Sequence, residues 1–161
     1  MGNFKVEIYL KIVFIISSVS IISAYFIEYA LGHQPCNLCL IERVPYILSI
    51  ILVTINYKFN QNEKFIILLL ILIFVFSFLI SIYHFGIEQG FFEESTVCTL
   101  NNATDIISKD ELLKILNEKT ISCKDVTFRV FGLSLTTINI VISLLFIITL
   151  KKVYTNYEKK K

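Results

Sequence analysis

The sequence is poor in charge and contains no tryptophan. Only 17% of its 161 residues are charged, against about 25% in an ordinary soluble domain, and 55% are hydrophobic. A mean hydropathy of +0.72 leaves too little polar surface to cover a soluble core, and it also excludes a disordered chain. The net charge of +2 is too small to indicate a nucleic-acid partner. The shortage of charge therefore indicates a protein that lies in a bilayer.

Four apolar runs contain most of the hydrophobic residues. Three of them reach the roughly 20 residues that cross a hydrocarbon core, and the first is too long for the apolar part of a cleaved signal peptide. The second is uncharged only from Val44 to Tyr57, and it reaches membrane length when it is extended back to Leu38, with Glu42 and Arg43 in its first turns. The predicted fold is all-α: a single integral membrane domain built as a four-helix bundle. The predicted spans are about 12–31, 38–57, 65–87 and 130–150.

Lysine is concentrated on one side of these spans. By the positive-inside rule, that side is cytoplasmic and contains both termini. The lysines concerned are Lys5, Lys11, Lys58, Lys64, Lys151, Lys152, Lys159, Lys160 and Lys161. The loops at 32–37 and 88–129 then lie outside the cytoplasm, together with all four cysteines. We interpret the lysines at the C terminus as a topology signal that is attracted to anionic membrane lipid, not as a nucleic-acid site.

The second outer loop contains a helix signal. Ser108 and Glu111 have the spacing of a capping box, and an amphipathic run that ends at Leu116 follows them. This pattern predicts a short helix in the loop. Its apolar face has two possible partners, the membrane surface and the helical bundle.

The four cysteines form two pairs with different spacing. Cys36 and Cys39 form a C-x-x-C motif in the first outer loop, whereas Cys98 and Cys123 lie 25 positions apart in the second. Both pairs face an oxidising compartment, where disulfides persist. Loop length alone favours a structural disulfide for the second pair, worth about 3–4 kcal/mol. The C-x-x-C motif closes almost no loop, so redox or metal chemistry explains it better.

The surroundings of the C-x-x-C motif favour a thiolate. Pro35 suits the first position of a helix, which puts both cysteines near a helix N terminus, where free N–H groups stabilise negative charge. Arg43 lies four residues after Cys39, on the same helical face, and its charge lowers the pKa of a thiol. Metal binding is the alternative, since His33 has the spacing of a ligand and His84 can reach the same side. The positive charge of Arg43 and the unused second cysteine pair count against it.

Two further polar residues lie near the outer ends of the spans. Glu28, in the first span, is a candidate ion-pair partner for Arg43. His84, in the third span, has two interpretations: a polar group that hydrogen-bonds a neighbouring helix, and a contact of a bound cofactor.

These residues resemble the disulfide bond formation protein B (DsbB) family of bacterial membrane enzymes. The segment PCNLCLIERVPY, residues 35–46, is similar to the family's cysteine motif, in which an arginine follows the second cysteine by four residues. YHFGIEQGFF at 83–92, the two loop cysteines and FGLSLTTIN at 131–139 are similar to its later parts. Glu42 stands where the family often has glutamine. The resemblance covers most of the chain, in order.

The resemblance implies an enzyme, a protein dithiol:quinone oxidoreductase of the bacterial inner membrane that makes disulfide bonds and so assists protein folding as a chaperone does. It implies that Cys98 forms a mixed disulfide with a periplasmic DsbA-like thiol oxidase and that Cys123 passes the electrons to Cys36. The second pair is then labile and not structural, because a soluble partner must reach the sulfur of Cys98.

The resemblance also implies a cofactor, either ubiquinone or menaquinone, and no metal. Cys39 is expected beside the quinone, with Arg43 and His84 as the cofactor-binding residues. Two alternatives stay open. The same cysteines can carry electrons in the opposite direction, and the chain can be a non-catalytic membrane protein that binds metal or assists assembly, with a stapled loop.

Overall fold

Four long helices make up most of the described chain. The structure is a computed structural model, and it describes residues 2–59, 63–93, 98, 122–124, 128–130 and 132–158. The helices are α1 (Gly2–Tyr29), α2 (Asn37–Phe59), α3 (Glu63–Glu88) and α4 (Leu135–Glu158). All four are long and apolar enough to cross a membrane, which confirms the predicted all-α membrane fold. The short helix predicted around Ser108 and Glu111 lies outside the described residues.

A two-stranded antiparallel hairpin leads into α4. Strand β1 (Arg129–Val130) pairs with β2 (Leu133–Ser134), and Gly132 between them has φ 83°, a left-handed conformation that favours glycine in tight turns. The hydroxyl of Ser134 then accepts a backbone N–H at 3.2 Å, as a helix cap does. Because the hairpin takes up these residues, α4 begins at Leu135, several residues after the start of the predicted fourth span.

The helices pack unevenly around the bundle. α3 and α4 pack closely, α2 packs against α1 and α3, and α1 and α4 touch each other only sparsely. Near the chain termini a set of buried apolar side chains fills the bundle; we call it the terminal apolar cluster. Its members include Val6, Leu10, Val53, Ile67, Leu70, Phe74, Phe146 and Leu150. The rings of Phe74 and Phe146, 4.4 Å apart between centroids, join α3 to α4 there.

Buried polar side chains link the helices in the middle of the bundle. Hydrogen bonds join Ser17 to Ser49 (2.8 Å), Ser77 to Ser143 (3.1 Å), Asn139 to Ser81 (2.8 Å) and Tyr46 to Asn139. Small residues allow membrane helices to approach closely, and such hydrogen bonds contribute about 0.6 kcal/mol each. These bonds join α1 to α2, α3 to α4 and, through Tyr46 and Asn139, α2 to α4, which fixes the rotation of the helices that carry the site.

Gly86, in the last turns of α3, makes room for the ring of Phe92. A Cβ atom at Gly86 would lie 2.2 Å from a ring carbon of Phe92. We therefore expect Gly86→Ala to lower the thermal unfolding temperature of the detergent-solubilised protein, measured by circular dichroism. In a Phe92→Ala background the same change should raise that temperature, because alanine is favoured over glycine in helices by about 1 kcal/mol. Effects of the same sign in both backgrounds would contradict this packing.

Candidate active site

The C-x-x-C motif lies at the N terminus of α2. The helix begins at Asn37, so the prediction that Pro35 occupies the first helical position was wrong, and Cys36 lies just before the helix. The reason is that Cys36 caps α2: its Sγ accepts the backbone N–H of Cys39 at 3.3 Å. The Sγ atoms of the two cysteines are 2.7 Å apart. A disulfide between them therefore requires only a small movement.

The environment of the Cys36 thiol favours its ionised form. Cys36 is buried, and its Sγ lies 3.6 Å from Nε2 of His84. The hydrogen bond from the Cys39 thiol, followed by the interactions with His84, lowers the pKa of Cys36 to about 5, although burial acts to raise it. At neutral pH Cys36 in the reduced pair is therefore a thiolate, the form that takes part in disulfide exchange.

His84 joins three helices at the cysteine end of the bundle. Its side chain is 2% exposed and its Nδ1 lies 3.1 Å from Oε1 of Glu42 in α2. Thr136 of α4 approaches the same ring nitrogen at 3.4 Å and donates its hydroxyl hydrogen bond to Glu88. The predicted contact of His84 with a neighbouring helix is thus present. Sequence reasoning missed Glu88, although its i+4 spacing from His84 on α3 was a usable signal.

Arg43 joins α2 to α1. Its Nη1 lies 2.6 Å from Oε2 of Glu28, so the ion pair suggested by the sequence is present, and its guanidinium lies 5.1 Å from the centroid of the Tyr25 ring. The two charged side chains are only 13% and 20% exposed. An unpaired charge in such a buried position costs free energy. The ion pair with Glu28 therefore reduces the cost of burying Arg43.

Cys98 and Cys123 form a disulfide next to the C-x-x-C motif. Both belong to a buried apolar cluster with Cys36 and Ile87, and Cys39 packs against that cluster. All four cysteines therefore meet in one place, which we call the cysteine cluster. Cys98 is 8% exposed and Cys123 is 3% exposed. The accessible sulfur expected at Cys98 is covered in this conformation, because the disulfide packs onto the bundle.

A cavity of about 400 Å³ lies beside the cysteine cluster, within the size range of small-molecule sites. Apolar side chains of α1 and α4 form much of its wall, among them Val19, Ala24, Ile27, Leu135, Ile138 and Ile142. Its polar side includes Cys39, Glu42, Arg43 and His84. The cavity thus offers a mostly apolar ligand a few polar contacts next to a cysteine sulfur.

Three side chains of the site have the geometry of metal ligands. The Sγ atoms of Cys36 and Cys39 and a ring nitrogen of His84 lie within 4.8 Å of one another. His33, a candidate ligand by its spacing, packs its ring 5.2 Å from that of Phe128. Among the described residues, the group of possible metal ligands consists of Cys36, Cys39 and His84, without His33.

The low pKa of Cys36 has a measurable consequence. In the reduced protein, we expect the rate of Cys36 alkylation by N-ethylmaleimide to change little between pH 8 and pH 6, because its thiolate persists down to a pH of about 5. An ordinary thiol loses about tenfold per pH unit over that range. The same cysteine in the denatured protein is the control, and mass spectrometry of its peptide gives both rates. A parallel fall in the two states would contradict the expectation.

Comparison with known proteins gives two matches of different kinds. A model of the family described as disulfide bond formation protein DsbB matches residues 7–151. An uncharacterized protein of Rickettsia prowazekii (strain Madrid E), RP370, is 26% identical over 137 residues, which cover 84% of this chain and 80% of that protein. No solved structure matches the chain. The family match covers most of each of the four helices and the whole cysteine cluster, so this multi-pass membrane protein belongs to the disulfide bond formation protein DsbB family.

Proposed function

We propose that this protein oxidises the dithiol of a soluble, DsbA-like periplasmic thiol oxidase and passes the two electrons to a membrane quinone. The observation that carries the proposal is the packing of the Cys98–Cys123 disulfide against the C-x-x-C motif, with a cavity alongside. In this proposal the protein lies in the bacterial inner membrane, with its lysine-rich termini in the cytoplasm and its cysteines on the periplasmic side. The chain then forms a single membrane domain.

The cysteines pass the electrons inward by successive thiol–disulfide exchanges. A thiolate of the partner attacks Sγ of Cys98, and the bond to Cys123 breaks with release of the Cys123 thiolate. That thiolate attacks Cys36 in an oxidised C-x-x-C pair, and Cys39 leaves as a thiolate with the electron pair. The partner's second thiol then releases the partner as a disulfide and frees the Cys98 thiolate. Cys98 attacks Cys123 and re-forms their disulfide, and Cys36 leaves as a thiolate, so the two electrons of the partner's dithiol remain on the C-x-x-C pair and its two protons are released. The contact of Cys123 and Cys36 in one buried cluster supports the exchange between these two cysteines.

Access to Cys98 requires a conformational change. Because only 8% of Cys98 is exposed, a soluble protein reaches its sulfur only after this cysteine has moved away from the bundle. The covered state protects the disulfide from unrelated thiols, since exchange depends on access to the attacked sulfur. Binding of the correct partner supplies the free energy for uncovering it.

The cavity fits a quinone by size and by the chemistry of its wall. Arg43 and His84 are the residues that would hold the oxygen atoms of the ring, while the apolar side chains of α1 and α4 would contact its tail. A bound quinone supplies a two-electron oxidant to this site. The sparse contact between α1 and α4 favours entry of a lipid-soluble ligand from the membrane side. Cys39, which also lines the cavity, is the sulfur suited to deliver the electrons.

Reconstitution tests this function directly. The purified protein is mixed with a reduced DsbA-like oxidase and a quinone, and the quinone absorbance is followed together with the thiols of the partner. We expect one partner disulfide for each quinone reduced.

Cells that lack the protein give the direction of electron flow. Partner thiols accumulate in these cells if the protein is an oxidase, whereas accumulation of partner disulfides would mean that it exports reducing equivalents.

A further inference from the structure

We propose that Cys36, Cys39 and His84 bind a soft divalent cation such as Zn²⁺ when the C-x-x-C pair is reduced. Zinc sites take cysteine sulfur at about 2.3 Å and histidine nitrogen at about 2.0–2.1 Å, so ligand atoms of a tetrahedral site lie about 3.3–3.8 Å from one another. The distance of 3.6 Å between Cys36 Sγ and His84 Nε2 falls in that range. The two sulfurs, now 2.7 Å apart, need to separate by about 1 Å.

The contacts of His84 prepare its Nε2 for a metal. A carboxylate only accepts hydrogen bonds, so the 3.1 Å contact with Glu42 keeps a ring hydrogen on Nδ1, and Nε2 supplies a lone pair once the metal displaces the hydrogen that it shares with Cys36. That lone pair is directed to the side where Cys36 lies. Metal-binding histidines commonly have this arrangement, in which a carboxylate fixes the tautomer and orients the ring. Glu42 therefore acts on the metal through His84.

The charges around the three ligands also favour a cation. Arg43 counts against a metal on sequence grounds, but its guanidinium is paired with Glu28 at 2.6 Å. Glu88 lies on the other side of His84, with Oε1 4.0 Å from Nε2, and its Oε2 is buried without a hydrogen-bond partner among the described residues. Glu88 thus adds negative charge beside His84, while the ligand atoms that lie within 4.8 Å of one another belong to Cys36, Cys39 and His84, which leaves the fourth position of a tetrahedral site to water.

The metal and the disulfide exclude each other. Binding of Zn²⁺ to the Cys36 thiolate displaces the protons on the Cys39 thiol and on His84 Nε2 and transfers no electrons, so the pair stays reduced. Both sulfurs then hold the metal, and neither is free to form a disulfide until the ion leaves. This consequence rests on the proposed function: Zn²⁺ captures the reduced intermediate of the enzyme and halts turnover, and a chelator restores it.

The test is zinc binding by the full-length protein carrying Cys98→Ala and Cys123→Ala. In this variant Cys36 and Cys39 of the C-x-x-C pair are the remaining cysteines. We expect the reduced protein to take up one Zn²⁺ in competition with a chromogenic chelator, and the oxidised protein to take up none. His84→Ala should weaken binding by more than tenfold, and Glu42→Gln by about tenfold. His33→Ala is the matched control and should leave the affinity unchanged. Absence of zinc uptake, or equal affinity in His84→Ala, would overturn the proposal.

A spectroscopic measurement keeps the test valid if His84→Ala does not fold. Co²⁺ added to the reduced protein should give sulfur-to-metal charge transfer and the visible bands of a tetrahedral site with two sulfur ligands. Octahedral bands without charge transfer would refute the site. These measurements use no partner protein and no quinone, so failure of the zinc proposal is distinguishable from failure of the quinone-linked activity.

Discussion

Replacing Cys39 by serine is expected to reduce quinone-linked turnover by about a thousandfold or more. A serine oxygen forms no disulfide with Cys36, so the pair beside the cavity loses its capacity to hold and release two electrons. The Cys98–Cys123 disulfide stays available for one exchange with the partner. The purified variant should therefore oxidise one equivalent of reduced partner, measured by thiol titration, while the quinone absorbance stays constant.

Leu40→Ser is the matched control for this variant. Leu40 follows Cys39 on α2 and its side chain is 45% exposed, so the change introduces a hydroxyl group at the same helical turn without removing a sulfur. We expect Leu40→Ser to keep turnover within about threefold of the parent protein, as surface substitutions usually do. Steady quinone reduction by Cys39→Ser would show that electrons reach the quinone by another route, and the proposed role of the C-x-x-C pair would be wrong.

Replacing Cys123 by alanine is expected to capture the partner on Cys98. Without Cys123, the Cys98 thiolate attacks the disulfide of the oxidised thiol oxidase, whose second cysteine leaves as a thiolate, and the resulting mixed disulfide has no other cysteine in the second outer loop to resolve it. Removal of the Cys123 sulfur also takes away one of the groups that bury Cys98. A covalent complex should accumulate, seen as a higher-mass band on a non-reducing gel that disappears with reductant.

Mass spectrometry of that complex identifies the linked cysteine. The expected cross-linked peptide contains Cys98, and the matched variant Cys98→Ala should give no adduct at this position, although it removes the same disulfide. A complex linked through Cys36 would contradict the proposed order of exchange, because it would mean that the partner reacts directly with the C-x-x-C pair. If the Cys98–Cys123 disulfide has only a structural role, the Cys123→Ala variant should form no covalent complex with the partner.

The membrane fold and the cysteine pairs could be predicted from sequence because they depend on properties that are local in the chain. Hydropathy gives the four spans, and the spacing of Cys36 and Cys39 favours redox or metal chemistry over a structural disulfide. The scarcity of charge near the outer ends of the spans also made Glu28 a candidate partner for Arg43, and the structure contains this ion pair at 2.6 Å. Each of these needs only length, spacing or the high cost of an unpaired charge.

The contacts around His84 could not be predicted in the same way. α3 is apolar on nearly every face, so its hydropathy pattern does not say which side faces α2, and the pairing of His84 with Glu42 depends on that rotation. The start of α2 was also misplaced, because a cysteine sulfur takes the capping role that serine or aspartate usually has. Coverage of Cys98 depends on tertiary packing and has no local signal.

The terminal apolar cluster has an electrical consequence for the proposed reaction. It fills the end of the bundle opposite the cysteine cluster with side chains such as Leu10, Phe74 and Leu150, which neither donate nor accept protons. The two protons that a reduced quinone takes up therefore come from the cysteine end of the bundle, the same side on which the thiols release two. Turnover then moves no net charge across the bilayer, and its rate should be the same whether or not a membrane potential is imposed on proteoliposomes.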